Sequence, residues 1–281
     1  MDPKQVDKAV AMAKSNDLAI IVVGENSMRY HWNEKTCGEN SDRYDLNLFG
    51  LQQELVERIH KTGMPTVVVL VNGRPLTTEW IADNIPALIE AWEPGSLGGQ
   101  AVAEIIFGDV NPSGKLAVTI PPRHSGQIQT YYNHKFTSKW FRYATGNSAP
   151  LYEFGYGLSY SDFKFEDVKL SKNEINKTEP VELTVKVTNA GGEMAGDEVV
   201  QLYITDEFSS ATRPVKELKD FQRISLQPGE IKEVKFTITP PEKLSYYDAQ
   251  MKYGIETGEF TIRVGSSSRN NDLINTQLTV K

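Results

Sequence analysis

The 281-residue sequence has little of what several common kinds of functional site require. Its single cysteine, Cys37, excludes an internal disulfide and a cysteine cluster that binds metal. Its four histidines show neither an HxH nor an HExxH spacing, so we predict no metal site and no cofactor. The Gly-rich segment EPGSLGG (93–99) lacks the Lys-Ser or Lys-Thr pair of a phosphate-binding loop, which argues against a nucleotide-binding protein.

The sequence also lacks a positive charge excess and a long hydrophobic run. The net charge of -7 argues against nucleic acid or an anionic membrane as the main partner. No apolar run approaches the ~20 residues that span a bilayer. The N-terminal residues, MDPKQVDKAVAMAKSND, are charged and helical in period, so we expect no signal peptide in this chain. We therefore expect neither a nucleic acid nor a membrane partner.

Residues up to about 120 alternate between helical and strand patterns. Three continuous apolar runs are typical of strands buried on both faces: LAIIVV (18–23), TVVVLVNG (66–73) and IPALIEAW (85–92). Helical patterns begin near Pro3 and cover 51–63 and 98–108, and the alternating run KLAVTI (115–120) predicts a further edge or antiparallel strand. This order predicts an α/β domain with an open, mostly parallel sheet and helices on both faces.

From about Phe163 onward the apolar residues recur with a period of two, and turn residues separate the runs. Short strands at regular spacing without helices between them predict a sandwich of seven or eight strands. The predicted fold class is therefore α/β plus all-β. We predict an α/β sandwich domain over residues 1–150, a packed linker over 151–162 and a β-sandwich domain over 163–281.

Polar loops follow all three predicted parallel strands, and ligands bind beyond the carboxyl ends of the strands in open α/β sheets. We expect the loops that begin at Gly24, Asn72 and Glu93 to converge on one rim. The first loop is far longer than the usual two to six residues, which is often a sign of function. Arg74 could hydrogen-bond a sugar or a loop carboxylate there, and a structural salt bridge is an equally good interpretation.

A glutamate on the long loop could serve glycosidic bond cleavage, in which a carboxylic acid protonates the leaving oxygen. Glu34 and Glu39 are the glutamates of its central part. A solvated surface carboxylate remains the alternative interpretation of either residue. Trp32, in the same loop, could stack on a sugar ring, although most buried tryptophans belong to a core.

Three long motifs resemble glycoside hydrolase family 3, which contains β-glucosidases and β-xylosidases. EAWEPGSLGGQAVAEIIFGDVNPSGKLAVTIP (90–121) resembles the second domain of that family. PLYEFGYGLSYSDF (150–163) and RPVKELKDFQRISLQPGE (213–230) resemble the entry into, and the core motif of, its fibronectin type III-like domain. The resemblance spans nearly the whole chain and implies an exo-acting retaining β-glycosidase, chiefly a β-glucosidase, that hydrolyses terminal β-linked sugars.

The resemblance also implies an upstream (β/α)8 barrel that supplies the nucleophilic aspartate and most of the sugar-binding subsite. The first predicted helix begins at residue 3, so we expect this chain to be the C-terminal part of such an enzyme, inactive alone. Its expected partners are the barrel of the same parent chain and a β-linked oligosaccharide or glycoside. The parent is expected to be periplasmic or secreted. The alternative is a non-catalytic structural or carbohydrate-contacting module.

The resemblance nominates the site residues of the long loop. In many members the acid/base glutamate lies in Ser-Gly-Glu-Gly, followed by Asp-Arg and Leu-x-Leu. CGENSDRYDLNL (37–48) matches that frame, with Cys37 and Asn40 as departures, and nominates Glu39. Other members carry a pattern similar to Tyr-Thr-Glu-Thr-Lys-Gly-Asp, which WNEKTCGEN (32–40) loosely resembles, and this nominates Glu34 as the alternative. Trp32 and Arg43 are the candidate substrate-binding residues.

Overall fold

The computed structural model describes residues 2–27, 34–38, 40–122, 131–134 and 149–281. They form two compact units. The first unit takes in the described residues up to Phe107, together with 120–122 and 149–151. The second unit takes in Gly108–Thr119, 131–134 and Tyr152–Lys281. The domain boundaries drawn from the sequence at residues 150 and 162 stay predictions.

Among the described residues, the first unit contains three strands and four helices. In chain order they are α1 (Pro3–Ala13), β1 (Ala19–Gly24), α2 (Gln52–His60), β2 (Thr66–Val71), α3 (Glu79–Asn84), β3 (Ala87–Glu90) and α4 (Gly98–Ile106). The strands are parallel, with β2 between β1 and β3. Because parallel strands end on the same side, the residues that follow β1, β2 and β3 lie along one rim of the sheet.

The start of the first helix follows directly from local sequence. The Asp2 side chain accepts a hydrogen bond from the Gln5 backbone N–H at 2.9 Å, and the Gln5 side chain accepts one from the Asp2 N–H at 2.9 Å. Pro3 occupies the first turn, where its missing N–H costs nothing. The six-residue helix α3 was not predicted, because one and a half turns are too short to show a helical period.

One face of the sheet forms the core of the first unit. Inward side chains of β1 and β2 pack with residues of α1, α2 and α3: Val6, Ile21, Val23, Val56, Val68, Leu70 and Ile81. The alternate residues of β1 point the other way, and Ile20 and Val22 are 44% and 62% exposed. At the end of β1, the Gln52 side chain accepts from the Gly24 N–H at 2.6 Å and donates to the Gly24 carbonyl at 2.9 Å.

The strand predicted over residues 115–120 is wrong. The Leu116 N–H donates to the Tyr156 carbonyl at 2.9 Å, and the Gly155 N–H donates to the Leu116 carbonyl at 2.7 Å, without a continuing ladder. Lys115 pairs with Glu198 at 3.0 Å. All of these contacts lie within the second unit. Period-two alternation shows which side chains are half-buried, and it cannot distinguish a strand from extended chain held by other contacts.

The second unit is a β-sandwich. Its described elements are β4 (Asp162–Leu170), β5 (Glu174–Ile175), β6 (Val181–Gly191), β7 (Gly196–Asp206), β8 (Glu217–Leu226), β9 (Ile231–Ile238), α5 (Pro240–Lys243), β10 (Tyr246–Tyr247), β11 (Tyr253–Gly254), β12 (Gly258–Gly265), a 3-10 turn (Asn270–Asp272) and β13 (Leu273–Val280). One sheet has the order β5-β13-β12-β7-β8, and the other has β4-β6-β9. Strands β10 and β11 form a separate antiparallel pair.

The sandwich core consists of the inward side chains of its two sheets. Every second residue from Val181 to Val187 of β6 is at most 1% exposed, and Leu202 and Ile262 of the facing sheet are fully buried. The outward residues of β6 are polar, as the sequence period predicts. The predicted fold class, an α/β domain followed by an all-β sandwich, is confirmed.

Candidate active site

The rim at the carboxyl ends of β1, β2 and β3 brings together three polar loops, as predicted. Glu25 follows β1 directly and meets Arg74, which follows β2. Asn72, also after β2, donates to the Glu90 carboxylate at the end of β3 at 3.3 Å. Ser27 hydrogen-bonds Glu93. The parallel topology explains this convergence, because each strand delivers its following loop to the same edge.

Glu25 is the centre of the rim. Its side chain is 0% exposed, and the guanidinium groups of two arginines hold it. Arg74 donates Nε to Oε2 at 3.0 Å and Nη2 to Oε1 at 3.1 Å, and Arg43 donates Nη1 to Oε1 at 3.2 Å. The hydrogen bond to Glu25 is also the main reason that the pKa of Arg74 is raised. A carboxylate without solvent is tolerated here because charge-assisted hydrogen bonds occupy both of its oxygens.

Both arginines reach outward to a second layer of carboxylates. Arg74 Nη1 donates to Asp42 Oδ1 at 2.9 Å, and Arg43 Nη2 donates to Asp45 Oδ1 at 3.0 Å. The Asp42 side chain is 94% exposed, yet it also accepts the Arg43 backbone N–H at 2.8 Å. The backbone N–H of Arg43 and then the Arg74 guanidinium lower the pKa of Asp42.

A second set of hydrogen bonds ties the earlier part of the long loop to the end of β1. The Asn26 carbonyl accepts the Thr36 N–H at 2.9 Å and the Cys37 N–H at 3.4 Å. The Asn26 N–H donates to Thr36 Oγ1 at 2.7 Å. Further on, the Ser41 N–H donates to the Gly38 carbonyl at 2.9 Å. Hydrogen bonds therefore hold the loop at residues 36–37 and again at residues 42–43. A turn lies between these two points.

The turn uses backbone conformations that few residues tolerate. Gly38 has φ 89° and Asn40 has φ 58°, both in the left-handed region. Glycine adopts this region without a steric penalty, and asparagine is among the side chains that adopt it most readily. The frame residues Gly38 and Asn40 therefore match what the turn requires.

A cavity of about 420 Å³ lies beside the end of β1. Its lining includes Glu25, Asn26, Thr36, Phe49 and Gln52. Phe49 is half exposed, and the Arg43 guanidinium lies over its ring at 5.4 Å. The volume falls within the range of small-molecule sites, and the lining combines polar groups with one aromatic face.

Two sequence families match this chain. The model of the glycosyl hydrolase family 3 C-terminal domain matches residues 3–160, which is more than half of the chain, and that of the fibronectin type III-like domain matches residues 198–268. The chain belongs to glycosyl hydrolase family 3. The family shown here is the one that the sequence motifs at 90–121, 150–163 and 213–230 resemble.

Proteins similar to this chain include some named β-xylosidase and others named β-glucosidase. A β-xylosidase from Formosa agariphila is 45% identical over 98% of this chain and 37% of its own length. A periplasmic β-glucosidase from Salmonella typhimurium is 40% identical over 95% of this chain and 36% of its own. The crystal structure of a β-glucosidase from Listeria innocua with glucose is 31% identical and covers all of this chain at a TM-score of 0.90, and 39% of that chain. The family 3 chain thus spans little more than a third of these relatives.

The structure places some of the predicted site residues of the family 3 chain. Glu39 and Trp32 lie outside the described residues. Glu34 is exposed, and its carbonyl accepts the Asn26 side-chain amide at 3.3 Å. Arg43 is directed to Glu25 and Asp45, and its role in substrate binding stays a prediction. Burial raises the pKa of the Cys37 thiol, and the neighbouring Glu25 carboxylate adds to this.

Sequence reasoning missed Glu90, a partly buried carboxylate on the same rim. Burial raises its pKa to about 6, although hydrogen bonds from the Trp92 N–H at 3.1 Å and from Asn72 act in the opposite direction. The signal was present in ALIEAW, where one acidic residue interrupts an apolar run at the end of a strand. Trp92 follows with φ 51°, a conformation that is unusual for an aromatic residue.

The described part of the chain contains neither a candidate metal site nor a helix that could span a membrane. No group of three or more His, Cys, Asp or Glu side chains there has a geometry that could hold a metal ion. None of the helices described is long and apolar enough to cross a membrane.

Proposed function

We propose that this chain is the C-terminal part of an exo-acting retaining β-glycosidase, a β-glucosidase, that hydrolyses terminal β-linked sugars. The observation that carries the proposal is similarity along 95–98% of the chain to enzymes named β-glucosidase and β-xylosidase. The rim adds a chemical argument, since Glu25, Asn26 and Thr36 line a cavity of about 420 Å³ at the start of the long loop. A purely structural or carbohydrate-contacting module has no comparable support among these relatives.

In the proposed mechanism, Glu39 is the general acid and base. It protonates the leaving oxygen in the first step and activates water against the glycosyl-enzyme in the second. An aspartate on a (β/α)8 barrel of the same parent chain is the nucleophile. Retention requires the two carboxyl groups to lie about 5–5.5 Å apart, so both parts of the parent must contribute. Trp32 and Arg43 are proposed to contact the sugar.

The geometry of the described residues supports Glu39 over the alternative, Glu34. The loop is fastened at Cys37 on one side of Glu39 and at Asp42 on the other. An acid that must reach a scissile bond benefits from fixed flanking backbone, because misplacement of about 1 Å can cost about 100-fold in rate. The Glu34 side chain is exposed and lies before both attachment points.

The proposed substrate and compartment follow from the same relatives. A β-linked glucoside is the expected substrate, and a β-xyloside is the first competitor because a relative is named β-xylosidase. The parent is proposed to act in the periplasm or outside the cell, as the name of the Salmonella relative suggests for that protein.

Leaving-group dependence tests the proposal in the full-length parent enzyme. Glu39→Gln should reduce kcat on aryl β-glucosides with poor leaving groups by about 100- to 10,000-fold, the usual contribution of general acid catalysis. Substrates with good leaving groups need little protonation, so their first step should suffer much less. Azide should restore turnover of those substrates by replacing base-assisted attack of water.

The matched control is Glu34→Gln in the same loop, which should have a smaller effect. If Glu34→Gln shows the leaving-group dependence and azide rescue while Glu39→Gln does not, the two assignments are reversed. A parent enzyme without activity on any aryl β-glycoside would instead support the non-catalytic module. The present chain assayed alone should show no turnover above background, and turnover that Glu39→Gln abolishes would contradict its dependence on a barrel nucleophile.

A further inference from the structure

The two attachment points of the long loop lie at two consecutive residues, the buried Glu25 and its neighbour Asn26. Residues 42–43 reach Glu25 through the two guanidinium groups, and residues 36–37 are bonded to Asn26, the next residue along the chain. Glu25 lies 18 residues before Arg43 and 49 residues before Arg74. One side chain therefore connects the end of β1, the end of β2 and the loop that contains Glu39.

The ion pair between Arg74 and Glu25 fixes the direction of the Arg74 side chain as well as balancing charge. Arg74 contacts both oxygens of Glu25 and, with its remaining amino group, the exposed Asp42. A bidentate guanidinium–carboxylate pair fixes orientation as well as distance, because its donors form a rigid planar fork. An exposed aspartate such as Asp42 would otherwise sample many rotamers. Its position is set from inside the unit, by a carboxylate that water does not reach.

A general stabilising role does not by itself explain this arrangement. A buried ion pair gains little over a well-packed apolar pair, because desolvation of the charges offsets their attraction. Its more specific effect is to select one arrangement of the groups around it. The groups so arranged are the described residues between Cys37 and Asp42, where the Ser41 N–H donates to the Gly38 carbonyl at 2.9 Å. In the sequence, these residues flank Glu39.

We propose that Glu25 is a positioning residue for the acid/base glutamate, acting through Arg74 and Arg43 on the loop segment 36–43. The inference rests on the proposed function and deepens it. The Glu25 side chain is 0% exposed, so its role is to hold other residues in place. It holds the backbone on both sides of Glu39 in the geometry in which a proton can reach the leaving oxygen.

The test is Glu25→Gln in the full-length parent enzyme, assayed well below the melting temperature of every variant. A glutamine keeps the shape of the side chain but can no longer accept the bidentate fork as an anion. We expect kcat on poor leaving groups to fall by about 10- to 100-fold, since a displaced acid loses its proton-transfer geometry. For substrates with good leaving groups we expect kcat to fall less than about threefold, and we expect the KM for the glycoside to change little.

The matched control is Glu198→Gln in the second unit. Glu198 is also a buried glutamate with a cationic partner, Lys115 at 3.0 Å, and it belongs to the unit that does not contain the loop. It should leave the leaving-group dependence unchanged. Hydrogen exchange gives an independent readout: the amides of residues 36, 37 and 41 should exchange faster in Glu25→Gln and at the parent rate in Glu198→Gln.

Arg74→Lys keeps the proposal testable if Glu25→Gln fails to fold. Lysine retains the positive charge but cannot bridge both Glu25 oxygens and Asp42 at once. It should show the same selective loss on poor leaving groups, to a smaller extent. Equal loss on good and poor leaving groups, or unchanged exchange of the loop amides, would overturn the positioning role.

Failure of this inference differs from failure of the proposed function. If Glu39→Gln shows leaving-group dependence and Glu25→Gln does not, the acid/base assignment stands and the positioning role falls. If Glu39→Gln itself shows none, the acid/base assignment falls, and the role of Glu25 in serving it falls as well.

Discussion

Strands β1 and β6 have similar alternating burial but different residues at their exposed positions. In β6 the outward residues are polar, such as Glu182 and Lys186, while the inward ones are fully buried. In β1 the outward residues are Ile20 and Val22, which are as apolar as the inward Ile21 and Val23. The sandwich closes its core with its own two sheets. Among the described residues, the first unit covers only one face of a strand whose sequence suits burial on both.

The largest contrast between the units should be found with matched isoleucines. Ile262 in β12 is fully buried, whereas Ile20 in β1 is 44% exposed. Ile262→Ala should lower the free energy of unfolding by about 2–5 kcal/mol, because it removes buried methyl groups and leaves a cavity. Ile20→Ala should cost less than about 1 kcal/mol. Urea unfolding of both variants checks this, and equal losses would show that the outward face of β1 is packed.

A smaller effect should distinguish the two carboxylates of the rim. Glu25 accepts hydrogen bonds from two arginines, whereas Glu90 accepts them from the Asn72 side-chain amide and the Trp92 backbone N–H. Burial raises the pKa of Glu90 from 4.5 to about 6. Since the pKa is raised in the folded state, the contribution of Glu90 is fully present below pH 4.5 and is lost as the pH rises through about 6. The rise in the pKa of Glu90 corresponds to about 2 kcal/mol in the free energy of unfolding, which solvent screening reduces to about 1 kcal/mol.

Unfolding free energies measured from pH 4 to pH 8 test this expectation. Glu90→Gln should flatten the decline above pH 5 by about 1 kcal/mol relative to the parent chain. A steeper decline in Glu90→Gln than in the parent would contradict the direction of the pKa shift.

The smallest expected change in stability concerns the open face of β1. Val22 is 62% exposed, so Val22→Lys should change the free energy of unfolding by less than about 0.5 kcal/mol. It should nonetheless reduce self-association of the chain at high concentration, because a lysine on an exposed edge strand opposes pairing with another sheet. Light scattering over a concentration series measures this. A stability loss above about 2 kcal/mol would mean that the strand is covered as completely as β6.

The strands and the longer helices follow from sequence because their signals are local. Apolar runs predicted β1, β2 and β3, and the helical period predicted α1, α2 and α4. The failures were also local in origin: α3 is too short to show a period, and 115–120 alternates without forming a ladder. The convergence of the three loops could be predicted as well, because parallel strands deliver their ends to one edge.

The sequence by itself determined the order of elements, the change from α/β to all-β and the family to which the chain belongs. It also singled out the long loop and its glutamates. Only the tertiary structure decided that Glu25 is buried and that Arg43 and Arg74 are directed at it rather than at solvent. The reason is physical: propensity and period act over a few residues, whereas an ion pair between residues 49 positions apart exists only after the strands that carry them have paired.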